Sequence, residues 1–457
     1  MKKKVYFCKK NKMKHIIIII CLFATLGAAA QNSLVLKTQD LPNHNSLIRT
    51  WNNDYSIGYT DDDMGQGYFF VENTTNRYLY YVKLRPDARV SDFCVHNDYV
   101  YFCGSYEGNP KYGIVGCFDI NSVMGGTASI NYGLFNTTTY PIYKVRNFIR
   151  MDIFEYGGYV HMALVGYLQD TSNSVVGTTL CDVFFTGGTW IANYYNGPVG
   201  IGSMDYLDIA ASSEYVVATS KLSASNDYMV SVYRVSANYL NSPLSPGTKF
   251  QLFGDTPLDN ILVEDVGPNS FMLAYYYDSL YHTGTEFGLI SVDGANSTIV
   301  PQYYCHVPHG VSTLQTSKMH NLHYDYGTQK LLLLHRLSCN QYIGPEDVVF
   351  EYDVSNPGSG FILGSYIHGI QMNDIDEMVI GYYQTIGTDV LHDSLFINHE
   401  INATSLGCRE LFEMPQYIFP LTSRTMFFPE VLVSPLVPYI SIPVSIEKVE
   451  LDTYCEY

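Results

Sequence analysis

The chain has 457 residues, with 26 basic against 44 acidic side chains, 47% hydrophobic residues and only 15% charged ones. This acidic excess argues against nucleic acid as a partner, because that affinity rests on Lys and Arg neutralising phosphates. It argues equally against an anionic membrane surface.

The first element is a leader. Seven lysines between Lys2 and Lys14 precede an apolar run from Ile16 to Leu26, and Ala28-Ala29-Ala30 follows. The run is too short for a spanning helix, and its flanks predict a cleavable bacterial secretory signal over 1–30, cut near Ala30-Gln31. Cys21 follows Ile20 rather than a small residue, so no lipid anchor is expected. Cleavage would leave residues 31–457, with 19 basic side chains against 44 acidic ones. The expected location is the periplasm, the cell surface or the medium. Thr425 to Ile446, the most apolar later stretch, is interrupted by Pro429, Pro435, Pro438 and Pro443. No transmembrane segment is therefore expected in the mature chain.

From residue 89 onward a pattern repeats. "DFCVHNDYVYFCG", Asp92 to Gly104, reads as two strands joined by an Asn97-Asp98 turn. That turn would place Val95 opposite Val100 and Cys94 opposite Tyr101. Cys94 and Cys103 would then lie diagonally, a poor geometry for a disulfide. Their spacing fits no zinc pattern, so core packing is the expectation for both. A third strand, "GIVGCFDI", follows a polar loop.

The same order recurs at Asp152, Asp208, Glu264, His323 and Gln371, at steps of 60, 56, 56, 59 and 48 residues from Asp92. An apolar residue lies eight positions after each: Val100, Val160, Val216, Met272, Leu331 and Val379. A period of about 50–60 residues with three or four strands per unit predicts an all-β fold, a β-propeller, because one small sheet cannot bury both faces alone but stacked blades can. "YVYFCGSYEGNPKYGIVGCFDI" is loosely similar to the middle strands of a WD-type blade, without the Gly-His and Trp-Asp pairs and with a longer period. The resemblance implies architecture only, over about residues 89–400. Six copies and a composite blade make seven, with six or eight also compatible. The termini, including 54–84 and the C-terminal "YISIPVSIEKVEL", are expected to close the ring within a single domain, 31–457. A pair of β-sandwiches is the alternative architecture, but it gives no reason for the period.

The repeat also defines the candidate site. Asp92, Asp152, Asp208, Glu264, His323 and Gln371 would converge at one mouth of the central channel. They would hold a cation or polar ligand there, or else hydrogen-bond to the backbone of their own or neighbouring blades. Two H-x-x-H pairs, His306/His309 and His320/His323, fall in strand-like sequence, where their rings would lie on opposite faces. "TDDDMGQG", Thr60 to Gly67, lacks the alternating spacing of a calcium loop and reads as a solvated turn. No metal site and no cofactor are expected, although calcium is the cation such acids would suit. No nucleophile, zinc-protease or phosphate-loop motif is present. The sequence therefore predicts a monomeric exported module that binds a glycan, peptide or protein. A carbohydrate-active hydrolase or lyase, and a structural cell-surface protein, remain as alternatives.

Overall fold

The computed structural model describes residues 34–37, 46–52, 55–61, 65–73, 78–136, 143–195, 204–222, 228–237, 239–241, 243–250, 260–278, 283–295, 298–310, 318–339, 343–357, 361–366, 370–375, 379–383, 395–398, 410–420, 423–425, 432–433, 436–444, 446–450 and 452–456. The leader over 1–30 lies outside the described residues. No helix among the described residues is long and apolar enough to cross a membrane.

The strands assort into seven antiparallel sheets. In blade 2 the order runs outward from Ala88–His96 through Tyr99–Tyr106 and Tyr112–Asp119 to Ala128–Phe135. Blade 1 begins with Ser46–Asn52, blade 3 with Lys144–Tyr156, blade 4 with Met204–Ala211, blade 5 with Ile261–Gly267, blade 6 with Lys318–Asp325 and blade 7 with Ile370–Ile375. Each of these first strands touches the first strands of the blades on either side, and blade 7 touches blade 1, so the seven form a closed ring around an axis.

The blades stand face to face, and the core lies between them. The second strands are accordingly buried on both faces: Tyr215–Leu222 is buried at all but one position. Of the apolar residues eight positions into each repeat, Val100, Val216, Met272 and Leu331 are fully buried, and Val160 is half-buried. Between blades 1 and 2 the core is aromatic. Phe69 packs against Tyr59, Phe93, Phe102 and Phe118 at ring-centroid distances of 5.2–5.6 Å.

The Asn97-Asp98 turn forms as the sequence predicts. Both residues adopt positive φ, 47° and 63°, which is what a two-residue hairpin loop requires. Val95 pairs with Val100 and Cys94 with Tyr101. Cys94, Cys103, Cys117, Cys181 and Cys305 are free thiols, and all but Cys94 are buried.

Closure is drawn differently from the sequence expectation at one point. Ser46–Asn52, Tyr55–Asp61, Gly67–Asn73 and Tyr78–Lys83 supply four strands of blade 1 from the N-terminal side, and the chain end adds only a fifth, outer strand, Ile446–Glu450. Blade 7 is the sheet completed from both termini: Leu34–Lys37 pairs with Leu395–Asn398 on one side and with Asp452–Glu456 on the other. The rest of the C-terminal segment circles the rim. It adds one outer strand to blade 6 (Glu410–Pro415), blade 5 (Tyr417–Pro420), blade 4 (Ser423–Thr425), blade 2 (Tyr439–Val444) and blade 1 (Ile446–Glu450). Two short strands, Leu432–Val433 and Leu436–Val437, serve blade 3. Of the prolines that interrupt this apolar stretch, Pro438 falls between two strap strands and Pro443 lies on an outermost strand, where a missing N–H is tolerated.

Candidate functional site at the channel mouth

All seven innermost strands carry a register shift: between Thr50 and Asn52 in blade 1, Val90 and Asp92 in blade 2, Phe148 and Arg150 in blade 3, Tyr206 and Asp208 in blade 4 and Met319 and Asn321 in blade 6, and further along the strand, between Asp265 and Gly267 in blade 5 and Met372 and Asp374 in blade 7. A β-bulge bends its strand and re-aims the following side chains. In blades 2, 3, 4 and 6 the bulges precede Asp92, Asp152, Asp208 and His323, the residues that the repeat aligns at one mouth of the channel. A cavity of about 380 Å³ opens there, and its lining includes Asp152, Asp208, Glu264, Asp265, His323 and Cys94.

Four of the predicted residues turn out to bridge blades. Asp92 accepts from the Met151 N–H of blade 3 (3.0 Å), Asp152 from Ala211 N–H of blade 4 (2.6 Å), Asp208 from Val263 N–H of blade 5 (2.9 Å) and Glu264 from Tyr324 N–H of blade 6 (3.1 Å). Each carboxyl thus ties its own strand to the next one around the axis. His323 sits in the same cavity with Nδ1 3.8 Å from Glu264 Oε1. Asp92 is buried outside the cavity lining, its Oδ1 held by Arg49 at 2.8 Å and by the Phe93 N–H. Gln371 lies on the innermost strand of blade 7, opposite Tyr382, and its side chain is outside the described residues.

The charge balance of the cup follows from burial. Burial, reinforced by the charge of Asp265 and more weakly by that of Asp92, pushes the Asp152 carboxyl up to about 8, although two backbone N–H donors pull the other way. Burial also raises Asp208 to about 6, against the pull of Arg150. Glu264 is driven well upward by burial and by the charges of Asp265 and Asp152. Asp265 is raised by burial, with the Tyr326 hydroxyl donating to it and moderating the rise. Like carboxyls in one low-dielectric cup cannot all ionise together. At neutral pH the cup therefore retains protons that a cation could replace. Cys94, whose Sγ is 3.9 Å from Asp152 Oδ1, has its thiol raised by burial and by the same acids, which makes it an unreactive lining residue.

Three features of the mouth lie outside the sequence prediction. Arg49 lines the cup from blade 1. The apolar rule already pointed to it, since Ile57, fully buried, lies eight residues on. Arg150 crosses the channel: its guanidinium donates to the His320 carbonyl of blade 6 at 2.8 Å, and its Nε is 3.6 Å from Asp208 Oδ1 of blade 4. An aromatic rim is the third. Tyr99, Tyr156, Tyr159 and Tyr326 are 40–59% exposed, beside or within the first-to-second-strand turns of blades 2, 3 and 6. Trp51, beside the corresponding turn of blade 1, is half-buried and donates to Asp98 Oδ1 of blade 2 at 3.1 Å.

The other candidates separate from this site. His306 and His320 lie on strands, as expected, and face Glu286 (3.2 Å) and Asp347 (3.9 Å) respectively. The side chain of His309 is outside the described residues. Asp61 is buried at the end of its strand, 3.9 Å from Arg89, and residues 62–64 lie outside the described residues. No group of three metal-ligating side chains occurs among the described residues.

Seven radial sheets around a channel define a β-propeller. No family model matches the chain, and no curated protein matches it. Solved structures do match. One is the β-propeller domain of the Trilobed protease from Pyrococcus furiosus, described as having an open velcro topology. It is 8% identical with a TM-score of 0.28, over 68% of this chain and 94% of that one. At that identity and score the likeness carries nothing about the site.

Proposed function

We propose that the protein is an exported interaction module whose channel mouth captures a cationic group, a lysine ammonium or an arginine guanidinium, presented by a peptide or protein partner. The observation that carries this reading is the convergence of Asp152, Asp208, Glu264 and Asp265 on one cavity. A cation replaces the shared protons and is desolvated among several carboxyl oxygens. The exposed tyrosines at the rim add faces on which the aliphatic stem or the guanidinium plane packs. Export rests on the leader sequence.

One observation supports a second reading. A carboxyl held near 8, as at Asp152, keeps its proton at neutral pH and has the property required of a general acid in glycoside hydrolysis.

A single panel separates the two readings. The mature chain is exposed to basic peptides, acidic peptides and glycans, and both retention and released products are scored. The expected result is retention of basic peptides with no product, weakened at least tenfold in Asp152→Asn/Glu264→Gln and weakened by salt. Glycan cleavage abolished by Asp152→Asn would replace this reading with the hydrolytic one. Retention of acidic peptides would contradict both.

A further inference from the structure

We propose that the C-terminal segment, 410–456, is a strap that closes last and locks the ring. Its order of travel is the main ground. The blades follow the chain from 1 to 7, but the strap visits them as 6, 5, 4, 3, 2, 1 and finally 7. The strap strands hydrogen-bond to the outer edges of all seven blades, two of them sharing blade 3, and none is longer than six residues. Such short strands have little stability alone. They hold only where an edge already waits for them, so the full register forms only on a completed ring.

The strap's last strand reaches the blade in which the ring is closed only by hydrogen bonds. Leu34–Lys37 precede blade 1 in the chain but pair with Leu395–Asn398 of blade 7. Asp452–Glu456 covers Leu34–Lys37 from outside after the strap has paired with blade 1. A blade that swings outward therefore strains the strap on both of its sides.

Side-chain contacts anchor the strap to the blades. Val437 is buried in the core between blades 2 and 3. Phe419 stacks on Tyr304 of blade 5 at 5.2 Å. The Cys305 thiol donates to Gln416 Oε1 at 3.1 Å, and the Tyr439 hydroxyl donates to Asn131 of blade 2 at 2.9 Å. The strap strands thereby become the outermost edges themselves, and such short edges are poor templates for pairing with other chains. A contact made after the rate-limiting step of folding slows unfolding and leaves the folding rate unchanged.

The test uses the full chain with a specific protease site inserted between Asn398 and Glu410, the link from blade 7 into the strap. After cleavage the strap fragment is expected to co-elute with the ring in native buffer. In urea the nicked protein should unfold at least tenfold faster than the uncut protein. A strap fragment that elutes free from a folded, monomeric ring would overturn the proposal, and so would equal unfolding rates. Val449→Pro in the uncut chain gives an independent reading. Its unfolding rate should rise several-fold with an unchanged folding rate, whereas a loss confined to the folding rate would show that the strap forms early and would refute the lock.

Discussion

Replacing Asp92 with alanine is expected to lower stability by about 3 kcal/mol, as in other buried pairs that lose one partner. The Asp92 carboxylate links three blades: Arg49 of blade 1 holds one oxygen at 2.8 Å, and the Met151 N–H of blade 3 donates to the other at 3.0 Å. Alanine leaves the guanidinium and the N–H groups without their acceptor at a position that is almost fully buried. Asparagine retains an acceptor and should cost roughly half as much, because charge-assisted bonds are about twice as strong as neutral ones. Urea unfolding of the two variants checks both values. A loss below about 1 kcal/mol for alanine would mean that the carboxylate is not an inter-blade tie.

Phe69→Ala should cost about 4 kcal/mol, the range for an aromatic ring removed from a rigid core. The ring is fully buried at the contact between blades 1 and 2, with four aromatic neighbours. Two of these, Phe93 and Phe102, belong to the first and second strands of blade 2, so the cavity would open at a blade interface. Phe69→Leu retains much of the volume and should lose about half as much. Thermal or urea unfolding measures the series. Equal losses for both substitutions would show that the pocket collapses and that the aromatic packing is not rigid.

The ring was legible because its signal is local. A turn pair such as Asn97-Asp98, an apolar residue eight positions into each unit and a polar residue at the head of the first strand all fall within one hairpin. The sequence therefore yields the hairpin register, the blade period and the candidate residues at the mouth. It also offered both uses of the acids, and the structure shows the second directly: Asp92, Asp152, Asp208 and Glu264 hydrogen-bond to the next blade.

What was missed depends on distant contacts. Arg49 precedes the strand-like stretch 54–84, and the only local sign of the first strand of blade 1 is buried Ile57, eight residues on. Asp265 is adjacent to Glu264 and lines the same cup, although alternation along a strand would send the two side chains to opposite faces. Arg150 meets His320 across 170 residues. The strap is the extreme case. Only its longer apolar stretches, such as "YISIPVSIEKVEL", read as strand-like, while their partners and those of the other strap strands lie on all seven blades, and nothing local says which edge each one covers.

Carboxyls of the inner strands converge in one low-dielectric cup, and the pH dependence of stability reports on that convergence. Asp152 has its carboxyl raised from an ordinary value of 3.8 to about 8, so between those values the folded state binds more protons than the unfolded one. Stability from this group is complete below pH 3.8 and is lost as the pH rises through 8. Each unit of displacement is worth about 1.4 kcal/mol. Urea midpoints measured from pH 4.5 to 8.5 should therefore fall more steeply in the native chain than in Asp152→Asn, with the variant gaining relative stability as the pH rises. Parallel curves for the two proteins would mean that Asp152 ionises as an ordinary surface acid and that no such cup exists.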